Sequence, residues 1–241
     1  MADDASTDGN ERSEATLPIF PLQTVLLPGA HLPLHIFEPR YRQLTIDLVT
    51  EVIPEREFGI IAVKSSMMSE VRELSHLYAV GCSAVLREAE RLPDGRFDVV
   101  VTGNRRFRLL DLDSTSAPYL TGTAEWMDDD PIPAEAEDVT GRLADIARAA
   151  HQRYCDSAWD SEDWEVPDAE VQPAELAYQL AADCLLTMHD RQWLLEETQP
   201  LRRLEIACRV LTMEAGFLST LRAVPASLSE FTGPTKPCHL N

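Results

Sequence analysis

The segment Leu17–Arg42, LPIFPLQTVLLPGAHLPLHIFEPRYR, restricts the fold of this chain more than any other stretch. It holds five prolines, a Pro28-Gly29 pair and two histidines in an otherwise apolar run. Proline fixes φ near −65° and has no backbone donor, so a proline-dense apolar segment cannot be an ordinary helix or a central strand. The segment is expected to break into short extended pieces, Ile19–Leu22, Val25–Leu27 and Leu32–Phe37, with a turn at Pro28-Gly29. Glu38-Pro39 then marks a switch from strand to helix, because proline is tolerated in the first helical turn. Tyr41, Leu44, Leu48 and Val52 follow at helical spacing and predict an amphipathic helix from Pro39 to about Val52.

Short apolar runs continue the extended pattern. Phe58–Val63 (FGIIAV) and Tyr78–Leu86 (YAVGCSAVL) read as buried strands. Leu92-Pro-Asp-Gly-Arg96 has the turn chemistry of a hairpin, proline presetting φ and glycine supplying φ > 0. Phe97–Thr102 is expected to pair back, Gly103-Asn104 to bend, and Phe107–Leu112 and Tyr119–Trp126 to complete a twisted, barrel-like β lobe over 17–127. From Pro133 the period changes to 3.6. Val139, Leu143, Ile146, Ala147 and Ala150 fall on one expected helical face. Leu176, Ala177, Leu180, Ala181 and Cys184 fall on a second, after Pro173. A short helix is predicted at about Asp190–Glu197. A last helix, with Thr198 as its N-cap and Pro200 in its first turn, carries a seam of Leu201, Leu204, Cys208, Leu211, Ala215 and Leu218. The fold class is therefore α+β, with a β lobe at 17–127 and a helical lobe at 133–223. Residues 1–16 are expected to be a disordered lead and 224–241 a flexible tail.

The net charge is −20, and it is unevenly placed. Between Glu125 and Glu170 lie 15 acidic and 3 basic residues, and 155–172 is expected to be an acidic loop that carries Trp159 and Trp164. Such a balance opposes phosphate contacts and anionic bilayers alike. Five cysteines without a CxxC pair argue against a disulfide framework or a zinc ribbon. The polar, acidic N-terminus is not a signal peptide, and no apolar run is long enough to span a bilayer, so a cytoplasmic location is expected.

The succession LPIFPLQTVLLPGAHLPLHIFEPRYR, FGIIAV, AVGCSAVL and LPDGRFDVVVTGNRRFRL resembles the N-terminal substrate-binding domain of the Lon protease family. The Leu176–Leu186 helix, Arg191–Glu197 (RQWLLEE) and LRRLEIACRVL are similar to the helical half of that domain. The resemblance covers about Leu17 to Leu221. It implies a PUA-like β-rich pseudo-barrel lobe followed by a helical bundle, and recognition of unfolded or client polypeptides with catalysis carried elsewhere. In the full-length family an ATPase and a Ser-Lys protease follow this domain. No G-x-x-x-x-G-K-[ST] loop is present here, so a free-standing member is expected, with a separate protease as a candidate partner. The acidic segment 155–172 departs from the family pattern.

No residue constellation for catalysis is evident, and neither a cofactor nor a metal is expected. His31 and His35 are four apart, but Pro33 between them excludes the helix that such a metal pair needs. They read as polar positions at strand ends. Cys184 and Cys208 read as small core residues, and Cys238-His239 lacks further nearby ligands. The candidate peptide-binding residues are Phe37, Arg40, Arg42, Arg105, Arg106, Arg108, Trp159 and Trp164. The arginines are read either as a rim for acidic or backbone groups of a peptide or as structural cations whose stems cover apolar surface. Glu38 reads as their structural ion-pair partner. The two tryptophans read either as a partner motif or as anchors packed onto the helices. A PUA-like nucleic-acid-binding module and a small-molecule enzyme are the alternatives from other classes.

Overall fold

The computed structural model describes residues 14–65, 71, 73–159, 164, 167–168 and 170–221. The expected lead ahead of Glu14, the tail after Leu221 and Cys238-His239 lie outside them. Six strands form one mixed sheet: β1 (Glu14–Leu22), β2 (His31–Ile36), β3 (Glu57–Ala62), β4 (Val80–Arg91), β5 (Phe97–Asp113) and β6 (Thr121–Trp126). The order is β2-β5-β4-β3-β1-β6, and β5 also pairs with β6. Five strands therefore close into a barrel, and β2 flanks the first half of β5. Closure removes most free edges, and β2, which contains Pro33, is the strand left at the margin.

The prolines of β1 sit in the middle of the sheet order, where the sequence argued against them. Stagger resolves this. Residues 14–18 pair with β6, and 19–22 pair with β3. Pro18 thus faces a partner strand on one side and Pro21 on the other, so neither position needs a donor in both directions. Glu14–Thr16, expected in the lead, already belong to this ladder. Val25–Leu27 is not a strand; its three side chains are nonetheless buried.

Phe107 fills the barrel. Its ring is fully buried, and a Cβ built on Gly59 or Gly81 would come within 2.8 and 2.6 Å of its Cζ. Only glycine on β3 and β4 leaves room for it. Helix α1 (Pro39–Val49) covers another part of the lobe with Tyr41, Leu44, Thr45 and Leu48, and Tyr41 stacks on Phe20 at 3.9 Å.

The helical lobe contains α2 (Glu137–Ala158), α3 (Pro173–Ala182), α4 (Met188–Glu196) and α5 (Pro200–Leu221). Its core joins that of the β lobe in one continuous apolar cluster. Two expectations change. Helix α2 runs to Ala158, so the first part of the acidic segment is helical. Its buried face is Ala144, Ala147, Ala150, His151, Tyr154, Cys155 and Ala158, whereas Val139 and Ile146 are exposed. The larger aliphatics drew the expected stripe to one edge of the true face, which is built from small and polar side chains that allow close approach to α5. Helix α4 begins at an N-cap, Thr187, which accepts from the Asp190 backbone N–H at 3.1 Å. Among the described residues, no helix is long and apolar enough to cross a membrane.

Candidate functional site

The lobes are held together by an ion triad of two buried arginines and a partly exposed carboxylate. Arg203 on α5 is 0% exposed and Arg106 on β5 is 4% exposed. Both guanidinium groups donate to the Asp129 carboxylate, Arg106 at 2.5 Å and Arg203 to both oxygens, Oδ2 at 3.0 Å. Backbone carbonyls satisfy further donors: Leu195 and Glu197 for Arg106, Ala174 and Glu197 for Arg203. The Arg203 guanidinium also lies 4.4 Å from the centre of the Tyr178 ring. Gln192 on α4 adds a hydrogen bond to the Val80 carbonyl at 3.1 Å. These contacts fix β5, the segment after β6, α3 and the α4–α5 junction in one arrangement.

That arrangement leaves a groove between the lobes, with a volume of about 950 Å³. Its β-lobe wall is the connection between β1 and β2 together with the start of β2, from Thr24 to Leu32. Its helical wall is the end of α3 and the segment leading into α4, with Gln179, Asp183, Leu185 and Arg191. The volume is at the upper end of the range for ligand sites. Leu185 is 48% exposed there, an apolar side chain left uncovered at the groove. Asp168 and Asp183 give the walls carboxylates. Arg191 is turned back into the fold, donating to the carbonyls of Ala182 and Cys184, and burial lowers its pKa from the ordinary arginine value. The groove thus offers apolar surface edged by negative charge. A smaller hollow of about 260 Å³ lies at Tyr78, His189, Gln192, Trp193 and Glu196.

None of the eight residues singled out in the sequence lines the groove. Phe37 is exposed at the end of β2. Arg40 donates to Glu38 at 2.9 Å and lies over the Tyr41 ring, a structural pairing. Arg42 reaches the Gly95 turn. Arg105 stacks on Trp126 at 4.3 Å, and Arg108 approaches Glu125 at 3.8 Å. Arg106 leaves the proposed rim altogether, because its buried guanidinium is held by the interlobe contacts. The cause is a bulge: between the pairs Cys82–Arg106 and Ala84–Gly103, β5 carries one residue more than β4. Period-two alternation from Phe97 puts Arg105 inward, and the extra residue exchanges the two arginines. Ser83 secures the bulge, accepting from the Arg105 N–H at 3.0 Å and donating to the Arg105 carbonyl at 3.2 Å. Trp159 is buried in the helical core, and Trp164 packs against that core with its ring edge-on to His151 at 5.9 Å.

His35 and His31 serve β2 locally. His35 Nδ1 lies 2.6 Å from Asp98 Oδ1, and His31 Nδ1 lies 3.0 Å from Thr102 Oγ1. A second polar cluster escaped the sequence reading. His151 and Cys155 stand one turn apart on α2 and meet Cys184 just beyond α3. Hydrogen bonds from Cys184 and then His151 lower the Cys155 thiol to about 6, while burial raises that of Cys184. The signal is a His-x-x-x-Cys spacing, which places both side chains on one face only when α2 extends through Cys155.

A closed mixed-sheet lobe locked to a helical lobe, with an open groove at their junction, defines a two-lobe α+β domain. The chain belongs to the ATP-dependent protease La (LON) substrate-binding domain family, whose family model matches residues 16–213. It is similar to the Lon protease of Parabacteroides distasonis, 30% identical over 148 residues, which cover 60% of this chain and 17% of the relative. It is also similar to the Lon protease of Escherichia coli K12, 25% identical over 215 residues, covering 89% of this chain and 27% of that protein. The chain therefore spans about a quarter or less of the length of these relatives. The fold matches a Lon N-terminal domain protein from Xanthomonas campestris (TM-score 0.56, 24% identity, 88% of this chain and 99% of that one). It likewise matches the N-terminal domain of a Mycobacterium avium complex Lon protease (TM-score 0.61, 20% identity, 82% and 98%).

Proposed function

We propose that the protein binds polypeptide segments without chemically altering them, and that the groove between the lobes receives them. The observation that carries this reading is the exposed Leu185 in a groove of about 950 Å³, within a fold of a substrate-binding domain family. Apolar side chains of an unfolded segment gain by covering Leu185 and its neighbours. Asp168 and Asp183 favour segments with basic flanks and disfavour acidic ones. The net charge of −20 opposes nucleic acid as the ligand in the same way. The resemblance to Lon proteases supports an adaptor role, in which bound clients are passed to a separate protease.

The test is fluorescence anisotropy with a labelled, reduced and alkylated model polypeptide of basic character. Saturable binding that weakens about tenfold or more in Leu185→Glu is expected, since the change removes apolar contact and adds like charge to an acidic wall. Binding unchanged in Leu185→Glu would remove the groove as the site. No binding of any unfolded polypeptide at high micromolar concentration would remove the recognition reading itself. The adaptor role is tested separately, by client half-lives in cells lacking the protein; unchanged half-lives exclude it.

A further inference from the structure

His151, Cys155 and Cys184 are 0%, 0% and 1% exposed, and their ligand atoms all lie within 4.8 Å of one another. Two come from one face of α2 and the third from the chain just past α3, so the cluster joins two helices rather than following from local sequence alone. The His151 Nε2 to Cys155 Sγ distance is 3.5 Å. Around a tetrahedral zinc ion, with Zn–S about 2.3 Å and Zn–N about 2.0 Å, neighbouring donors stand about 3.5–3.8 Å apart. The pair on α2 already has that spacing, and Cys184 needs to move by about an ångström at most.

The bland explanation, three small core side chains, leaves the imidazole poorly served. A buried imidazole ordinarily holds a good oxygen partner. Among the described residues, the hydrogen-bond contacts of the His151 ring are to Cys155 Sγ alone, at 3.5 and 3.9 Å. Trp164 closes over it edge-on. Two thiols and an imidazole with no carboxylate among them form a soft donor set, suited to zinc or monovalent copper and unsuited to magnesium or calcium.

We propose that His151, Cys155 and Cys184 bind one thiophilic closed-shell cation, Zn²⁺ or Cu⁺, which clamps α2 to the end of α3. On ligation each thiol gives up its proton to solvent and becomes a thiolate ligand. Cys184 lies between the groove residues Asp183 and Leu185, so the clamp also fixes the helical wall of the groove. The metal site stands whether or not the groove binds polypeptide, and its test uses no polypeptide.

The full chain, reduced and stripped of metal, is titrated with Co²⁺ as an optical stand-in for Zn²⁺, and in a second arm with Cu⁺ against a coloured chelator. One equivalent of metal per chain is expected. The cobalt form is expected to show thiolate-to-metal charge-transfer absorption that added Zn²⁺ abolishes. Cys155→Ser, Cys184→Ser and His151→Gln are each expected to weaken binding about tenfold or more, and Cys208→Ser to leave it unchanged. Retention of Cu⁺ with weak Zn²⁺ binding assigns the site to copper, and the reverse assigns it to zinc. Failure of the reduced, folded chain to hold either metal overturns the proposal, as does equal binding by the Cys184→Ser variant. Should a variant not fold, X-ray absorption on the metal-loaded native chain decides: a shell of two sulfurs and a histidine nitrogen supports the site, and a shell without sulfur overturns it.

Discussion

Removing the Asp129 side chain tests the interlobe triad most directly. In Asp129→Ala, Arg106 and Arg203 keep their carbonyl partners but lose the anion that both share. At 4% and 0% exposure neither guanidinium can recover that interaction from water. Breaking a buried ion pair by deleting one partner costs about 3–5 kcal/mol. For a domain of this length each kcal/mol lowers the melting temperature by about 2–4 °C, so a drop of roughly 6–20 °C is expected. Asp129→Asn preserves volume but turns one acceptor into a donor facing donors, and it is expected to lose most of the same stability. The assay is thermal unfolding followed by circular dichroism, with urea melts to obtain free energies. Glu51→Gln is the control, because its pair with Arg56 at 2.8 Å is exposed; its midpoint is expected not to move. A loss below about 1 kcal/mol in Asp129→Ala would refute the reasoning. It would mean that the carbonyls alone stabilise both cations and that the carboxylate is incidental.

Other substitutions probe the barrel and its surroundings. Phe107→Ala is expected to cost about 3–5 kcal/mol in urea melts, since the ring is fully buried and glycines cannot collapse into its space. Gly81→Ala places a Cβ 2.6 Å from the Ile60 carbonyl oxygen and from the Phe107 ring, and a loss of about 1–3 kcal/mol or more is expected. Thr187→Ala removes the α4 N-cap and is expected to cost about 0.5–2 kcal/mol, seen as faster amide exchange in the first turn of that helix. Side-chain hydrogen bonds from Thr115 and Ser116 depress the Asp113 carboxyl to about 2. The contacts that hold this turn are therefore complete above pH 3.8 and lost as pH falls through about 2. A carboxyl titration followed by NMR is expected to show that midpoint, and Thr115→Ala to raise it.

The strands and helices were largely legible because each carries its own period and punctuation. The Pro28-Gly29 and Asp94-Gly95 turns, the Pro39 helix start and the α5 seam all follow from local chemistry. The β5 bulge was not legible: an inserted residue leaves the composition of a strand unchanged and alters only which side chains face inward. That is why Arg105 and Arg106 exchanged roles. The groove was legible only as a place between lobes. Its residues come from the β1–β2 connection, the start of β2, Pro167 and Asp168, and the α3–α4 junction, which share no common period. The His151, Cys155 and Cys184 cluster needed both the true end of α2 and the docking of α3, neither of which a local pattern supplies.

Arg106 also bears on how the chain comes to its shape. It lies on β5, while the groups that satisfy it are Asp128 and Asp129, twenty-odd residues later, and Leu195 and Glu197, about ninety residues later. As the chain emerges from a ribosome, β1 to β6 are all available before α4 and α5 exist. A β lobe closed at that stage would hold the Arg106 guanidinium, on the face that the helical lobe later covers, with Asp128 and Asp129 but without the Leu195 and Glu197 carbonyls. Half of its acceptors therefore arrive only with α4 and the residue after it, so this side of β5 is expected to stay solvated until that segment docks. Two lobes can be drawn on this molecule, but folding is expected to treat them as one unit.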